Sequence, residues 1–101
     1  MLEKDLQTRC LAWIKALRDH GHPVLAINQH GSAFSSRGVP DLIICAKGRF
    51  IAVELKVGNN TPTPLQADYL DRISLAGGQA HVVYDLETFK KVIEDALHQT
   101  R

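Results

Sequence analysis

Two apolar runs, residues 39–46 and 50–57, stand on either side of Lys47-Gly48. No other feature restricts the fold as much. A two-residue connection whose glycine adopts positive φ at no steric cost suits a tight β-hairpin turn. Such a turn fixes the register. Ala46 faces Arg49, and counting back along both strands brings Asp41 opposite Glu54. Directly opposed residues have Cβ atoms about 4.5–5.5 Å apart on one face of the sheet. Side chains alternate along a strand, so Lys56 shares that face with Glu54. Two carboxylates and an amine therefore converge at one end of an otherwise apolar hairpin. Both runs are apolar at successive positions, which predicts a sheet covered on both sides.

The remaining elements follow from periodicity and punctuation. Leu2, Leu6, Cys10, Trp13, Ile14 and Leu17 recur at helical spacing over residues 2–20, and Gly21 and Pro23 end that helix. Residues 24–29 read as a short strand and 30–38 as a polar loop. A helix over 64–76 has Thr63 as N-cap, Pro64 at its first position and Gln66 placed to complete a capping box. Gly77-Gly78 stops it. A fourth strand covers 79–84, and an amphipathic helix covers 86–98. The order is α-β-β-β-α-β-α, an α/β fold in one domain spanning residues 1–101, with a right-handed parallel crossover between the third and fourth strands.

Several classes are disfavoured. The formal charge is +1, too small for a protein that coats DNA without specificity, so any nucleic-acid contact must use local positive charge. Cys10 and Cys45 form no paired metal spacing and read as small hydrophobes in a reducing compartment. No apolar run approaches the ~20 residues of a membrane span, and the acidic start does not resemble a secretion signal. The expected location is cytoplasmic. His20 and His22 follow a helix in a Gly/Pro turn without further ligands nearby, which argues against zinc.

Adjacent carboxylates repel each other and are costly beside a core unless something positive joins them. Magnesium, a hard cation held by one or two carboxylates and completed by water and phosphate, meets that need. An Asp41–Lys56 or Glu54–Lys56 ion pair without chemistry would also satisfy it.

The words around these residues add to the argument. Gly38-Val39-Pro40-Asp41, an apolar strand, and then Val53-Glu54-Leu55-Lys56 resemble the PD-(D/E)xK nuclease signature. With Gly48-Arg49-Phe50, Gln66 and Gly77-Gly78, the chain resembles the VRR-NUC family of that superfamily from Glu3 to about Tyr84. The resemblance implies a restriction-endonuclease-like α-β-β-β-α-β core, a mixed sheet flanked by helices, with a C-terminal helix appended. It implies a stand-alone endonuclease that uses Mg²⁺ or Mn²⁺ to hydrolyse DNA phosphodiesters, most like enzymes that resolve four-way Holliday junctions. It assigns Asp41, Glu54 and the Leu55 carbonyl to the metal, and Lys56 to the attacking water and the charge on the phosphate. A first-helix glutamate completes the acidic site in the family, and Glu3 stands in line with Gln7, Cys10 and Ile14. Gln66 matches a glutamine that follows the ExK motif, so it has both a catalytic and a capping reading. Rival functions are a flap-type or other structure-specific nuclease, a restriction or homing nuclease (with little room here for a base-reading element), and a non-catalytic DNA-binding module.

Geometry sorts the basic residues. Lys47 and Arg49 lie roughly 20 Å from Asp41 at ~3.3 Å per residue. Arg37, Ser35, Ser36 and His30 lie in the loop at the chemical end and are the expected DNA contacts. A homodimer is expected, because two-fold symmetry supplies two cuts and a domain this small gains from burying more surface. The candidate interface is any apolar face left open around Leu86, Phe89, Val92 and Ile93, or around Trp13, with covering the sheet as the alternative use of each face.

Overall fold

A computed structural model describes residues 1–29 and 37–99. The chain forms α1 (Glu3–Asp19), β1 (Val24–Asn28), β2 (Leu42–Ala46), β3 (Arg49–Leu55), α2 (Pro64–Leu75), β4 (Gln79–Val83) and α3 (Leu86–His98). The four strands make one mixed sheet in the order β1-β2-β3-β4. β1, β2 and β3 are antiparallel, whereas β4 runs parallel to β3 after the α2 crossover.

The hairpin has the register its turn dictates: Ala46 pairs with Arg49, and the ladder runs back to Leu42 opposite Val53. Lys47 has φ 53° and Gly48 φ 81°. Positive values at both central positions are those of a type I′ turn, whose twist matches that of the flanking strands. β2 is shorter than its apolar run. Pro40 has no N–H to give a ladder, and the regular strand begins at Leu42.

The helices begin where polar side chains can satisfy their first amides. Thr63 Oγ1 accepts from the Gln66 N–H at 3.2 Å, and Gln66 Oε1 accepts from the Thr63 N–H at 2.9 Å, a complete capping box. Asp85 caps α3 by accepting from the Thr88 N–H at 2.7 Å. One core lies between the sheet and the α1–α3 pair, built from Leu6, Cys10 and Ile14 of α1, Phe89, Ile93 and Ala96 of α3, and alternate residues of the strands. Each large aliphatic or aromatic side chain fully buried there contributes about 1.5–3 kcal/mol.

Two expectations are corrected. The apolar face of α3 is not open: Phe89 and Ile93 are fully buried against the sheet. Trp13 packs edge-on against Phe89, ring centroids 6.0 Å apart, with the Lys90 ammonium 5.9 Å from its ring centroid. Those side chains belong to the α1–α3 seam. Nor is the sheet covered on both sides throughout. α2 packs on β3 and β4 of the opposite face, while Leu25, Ile27, Cys45 and Phe50 of that face stay exposed. No helix among the described residues is long and apolar enough to cross a membrane.

Candidate metal centre

At the end of the sheet opposite the hairpin turn, three carboxylates from three elements meet. Glu3 comes from the first turn of α1, Asp41 from the residue before β2, and Glu54 from β3. One oxygen of each lies within 4.8 Å of the others. Oxygens that share a small divalent cation, each bonded at about 2.1 Å, lie about 3–4 Å apart, so the trio would have to draw together to hold one ion. Among the described residues no other trio of His, Cys, Asp and Glu gathers in this way. The pair expected from the hairpin and the glutamate implied by the family resemblance thus lie together.

Each member is held differently. Asp41 Oδ2 accepts from the Leu55 N–H at 2.8 Å, and the Asp41 carbonyl accepts from the Gln29 N–H at 2.9 Å. The first bond joins the residue before β2 to the middle of the Glu54-Leu55-Lys56 segment. Glu54 is 1 % exposed, and neither carboxylate oxygen has a hydrogen-bond partner among the described residues. The Lys56 ammonium stands 3.5 Å from Glu54 Oε2, close enough for an ion pair but too loose to satisfy the oxygens as a hydrogen bond would. Burial and then the neighbouring Asp41 carboxylate push the Glu54 carboxyl up to about 7, against the opposing pull of Lys56. A buried carboxylate without donors is costly by itself. A cation between the three acids would reverse that cost, so the donor set fits a hard divalent ion.

Gln7 and Asn28 were not among the residues expected to serve the site. The Gln7 amide donates to Asn28 Oδ1 at 2.6 Å, and Gln7 is buried. Gln7 lies one helical turn beyond Glu3 on the same face of α1, and Asn28 pairs with Leu42, next to Asp41. The bond ties the start of α1 to the acidic end of the sheet. The sequence signal was the alignment of Gln7 with Glu3, but nothing in it identified the strand partner.

The other expected residues are more scattered. Lys56 is buried, and its N–H donates to the Val83 carbonyl at 3.0 Å. Leu55 sends its side chain into the core on the opposite face. Gln66 Oε1 is engaged in the capping box of α2. Arg37 is exposed at an open groove of about 440 Å³, lined also by Gly38, Thr63, Pro64, Leu65 and Gln66. His30, Ser35 and Ser36 lie outside the described residues. Lys47 and Arg49 reach α3, with hydrogen bonds to the carbonyls of Gln99 and Ala96 at 3.5 Å, far from the acids.

Comparison with known proteins gives a consistent family and fold. The family model described as archaeal Holliday junction resolvase matches residues 9–86, a span that contains Asp41, Glu54, Lys56 and Gln66 and stops short of Glu3. A solved structure titled VRR_NUC domain is 26% identical, with a TM-score of 0.67 over 91% of this chain and 94% of its own. Another, titled VRR_NUC domain protein, is 24% identical, with a TM-score of 0.77 over 96% of this chain and 88% of its own, and supports likeness of fold alone. No curated protein matches the chain.

Proposed function

The chain belongs to the archaeal Holliday junction resolvase family, and from that premise we propose that it is a Mg²⁺- or Mn²⁺-dependent endonuclease that hydrolyses phosphodiester bonds in branched DNA, four-way junctions foremost. The observation that carries this reading is Glu54: a buried carboxylate, both oxygens without hydrogen-bond partners among the described residues, set among two further acids and a lysine. A purely structural ion pair would give those oxygens donors.

In this reading residues 1–101 act as one domain. Glu3, Asp41, Glu54 and the Leu55 carbonyl hold the cation, which when bound supplies Lewis-acid polarisation of the phosphodiester. The chain's own groups do the rest. The Leu55 amide fixes the Asp41 carboxylate by its hydrogen bond. Lys56 orients the attacking water and offsets the negative charge that grows on the phosphate oxygens. Its burial holds the ammonium in a medium of low dielectric, where that charge acts more strongly than it would in water. Gln66 uses Oε1 for the cap, so any part it takes toward water or phosphate falls to its amide nitrogen. Arg37 supplies positive charge to the DNA backbone from the groove beside α2, and His30, Ser35 and Ser36, which precede it in the sequence, are the further proposed contacts. The protein acts as a homodimer, since one active centre per chain makes one cut and resolution requires two on opposing strands.

Cleavage of four-way junctions, flaps, splayed arms and plain duplex, assayed side by side in Mg²⁺, tests the substrate. The four-way junction is expected to be cut fastest, in paired nicks across the branch point. Faster cutting of flaps would replace the junction reading with a flap-type nuclease. Binding without cleavage of any substrate would leave a DNA-binding module.

A further inference from the structure

The three acids stand on three elements, and the first of them is the least secured. Leu2 occupies the N-cap of α1 and has no side-chain oxygen for the amides that follow, whereas Thr63 and Asp85 cap α2 and α3. Met1 and Leu2 are 69% and 68% exposed. The Asp5 carboxylate accepts from the Leu2 N–H at 3.4 Å, a long contact. A helix start of this kind tends to fray. Yet Glu3 stands in it and brings a carboxylate oxygen within 4.8 Å of those of Asp41 and Glu54.

Gln7 supplies what the cap does not. The buried residues of α1 are Leu6, Gln7, Cys10 and Ile14, so Gln7 places an amide among apolar side chains. A leucine there would meet the core without needing a partner, so burial by itself does not call for glutamine. The Gln7 amide donates to Asn28 Oδ1 at 2.6 Å. The next residue, Gln29, donates its N–H to the Asp41 carbonyl at 2.9 Å, and Asp41 Oδ2 accepts from the Leu55 N–H at 2.8 Å, beside Glu54. A path of hydrogen bonds thus runs from α1 through the end of β1 and Asp41 to β3. It joins the segments that carry all three acids.

We propose that Gln7 is a positioning residue for the cation site: its bond to Asn28 fixes the rotation of α1 that aims Glu3 at Asp41 and Glu54. Glu3 and Gln7 are four residues apart and share a helix face, so a roll of the helix that breaks one contact swings the other away. Leu6 is fully buried and holds the same turn against the core, but apolar burial has no direction and tolerates such a roll. A short hydrogen bond does not. The acids must draw together around an ion, and a Glu3 already aimed loses less freedom when they do. The inference rests on the cation reading of the three acids and adds the device that makes the first of them available.

Mn²⁺ alone, titrated into the full chain and followed by the paramagnetic resonance of the free ion, reads affinity without cleavage. Gln7→Leu should weaken binding about tenfold, the lower end for residues that orient metal ligands. Asn28→Ala, at the exposed end of β1, removes the acceptor without entering the core and should give the same loss. Both variants should melt close to wild type in chelator. A cycle with Glu3→Gln separates aiming from general loosening: if Gln7 acts through Glu3, Gln7→Leu costs no further affinity once Glu3→Gln is in place. An equal loss in both backgrounds, wild-type affinity in Gln7→Leu and Asn28→Ala, or a collapse of their metal-free melting temperatures would each overturn the positioning role and leave the cation site standing. A wild-type chain that takes up no Mn²⁺ would instead remove the cation reading, and the positioning role with it.

Discussion

Lys56→Ala and Asp41→Asn each lower the rate of junction cleavage by about 10³-fold or more, while the protein stays folded and still binds DNA. The size of the loss follows from what a fixed charge at a reacting phosphate contributes: about 10²–10³ for one well-placed donor in a water-poor site, and more where a cation ligand is lost. The survival of the fold follows from the contacts. Asparagine keeps an oxygen that can accept from the Leu55 N–H, so the tie between Asp41 and β3 survives the loss of charge. Lys56 makes its loose ion pair with Glu54 from the end of β3 and contributes nothing to the α1–α3 core. Without the ammonium, Glu54 is driven further toward its neutral form, which relieves the buried charge instead of unfolding the chain. Initial rates on a four-way junction, thermal melts and gel shifts on the same variants check all three parts. A Lys56→Ala protein that cuts near the wild-type rate would remove Lys56 from the chemistry.

Gly38→Ala is the most damaging small substitution expected outside the acids. Gly38 has φ 83°, a left-handed conformation that costs an alanine about 1–2 kcal/mol. A Cβ there would also lie 2.8 Å from the backbone carbon and oxygen of Leu65, in the first turn of α2. Backbone atoms in a capped helix cannot step aside as a flexible side chain would, so overpacking adds a further 1–3 kcal/mol or so. The total, about 2–5 kcal/mol, is a large share of the stability of a domain of this size. The melting temperature should fall by roughly 10–25 °C. Gly48→Ala provides the comparison, because its φ is 81° and nothing lies within 4 Å of the added carbon. It bears the backbone cost alone. Equal losses in the two variants would show that the approach of α2 is not what demands glycine at position 38. The position also matters to the site, since Gly38 stands between Arg37 and the Val39-Pro40-Asp41 segment that delivers the first acid.

The sequence exposed the chemistry more fully than the surface. A two-residue turn leaves a hairpin one register, so the convergence of Asp41, Glu54 and Lys56 followed from counting. Glu3 came from the family resemblance, and helical spacing, which aligns it with buried Cys10 and Ile14, only agreed with that placement. Of the two roles read for Gln66, the catalytic one came from the family resemblance and the capping one from the local Thr63–Gln66 spacing, and the capping box is the one whose bonds are formed. Burial was harder to read. Successive apolar residues in β2 and at the start of β3 looked like a sheet covered twice. With α1 and α3 together on one face, α2 alone is left for the other, and it covers only β3 and β4. For the same reason the apolar stripe of α3 looked available for a partner. An amphipathic stripe is identical whether it meets a sheet or a second chain, and only the tertiary arrangement separates the two. The Gln7–Asn28 bond joins residues 21 positions apart through polar side chains that follow no periodic pattern.

On the proposed function, the three acids hold a cation that DNA cleavage requires. Junction cleavage by the wild-type chain, followed in excess chelator and again after Mg²⁺ or Mn²⁺ is restored, tests it most directly. Cutting is expected to fall to background in chelator and to return with either ion. Undiminished cutting in excess chelator would contradict it.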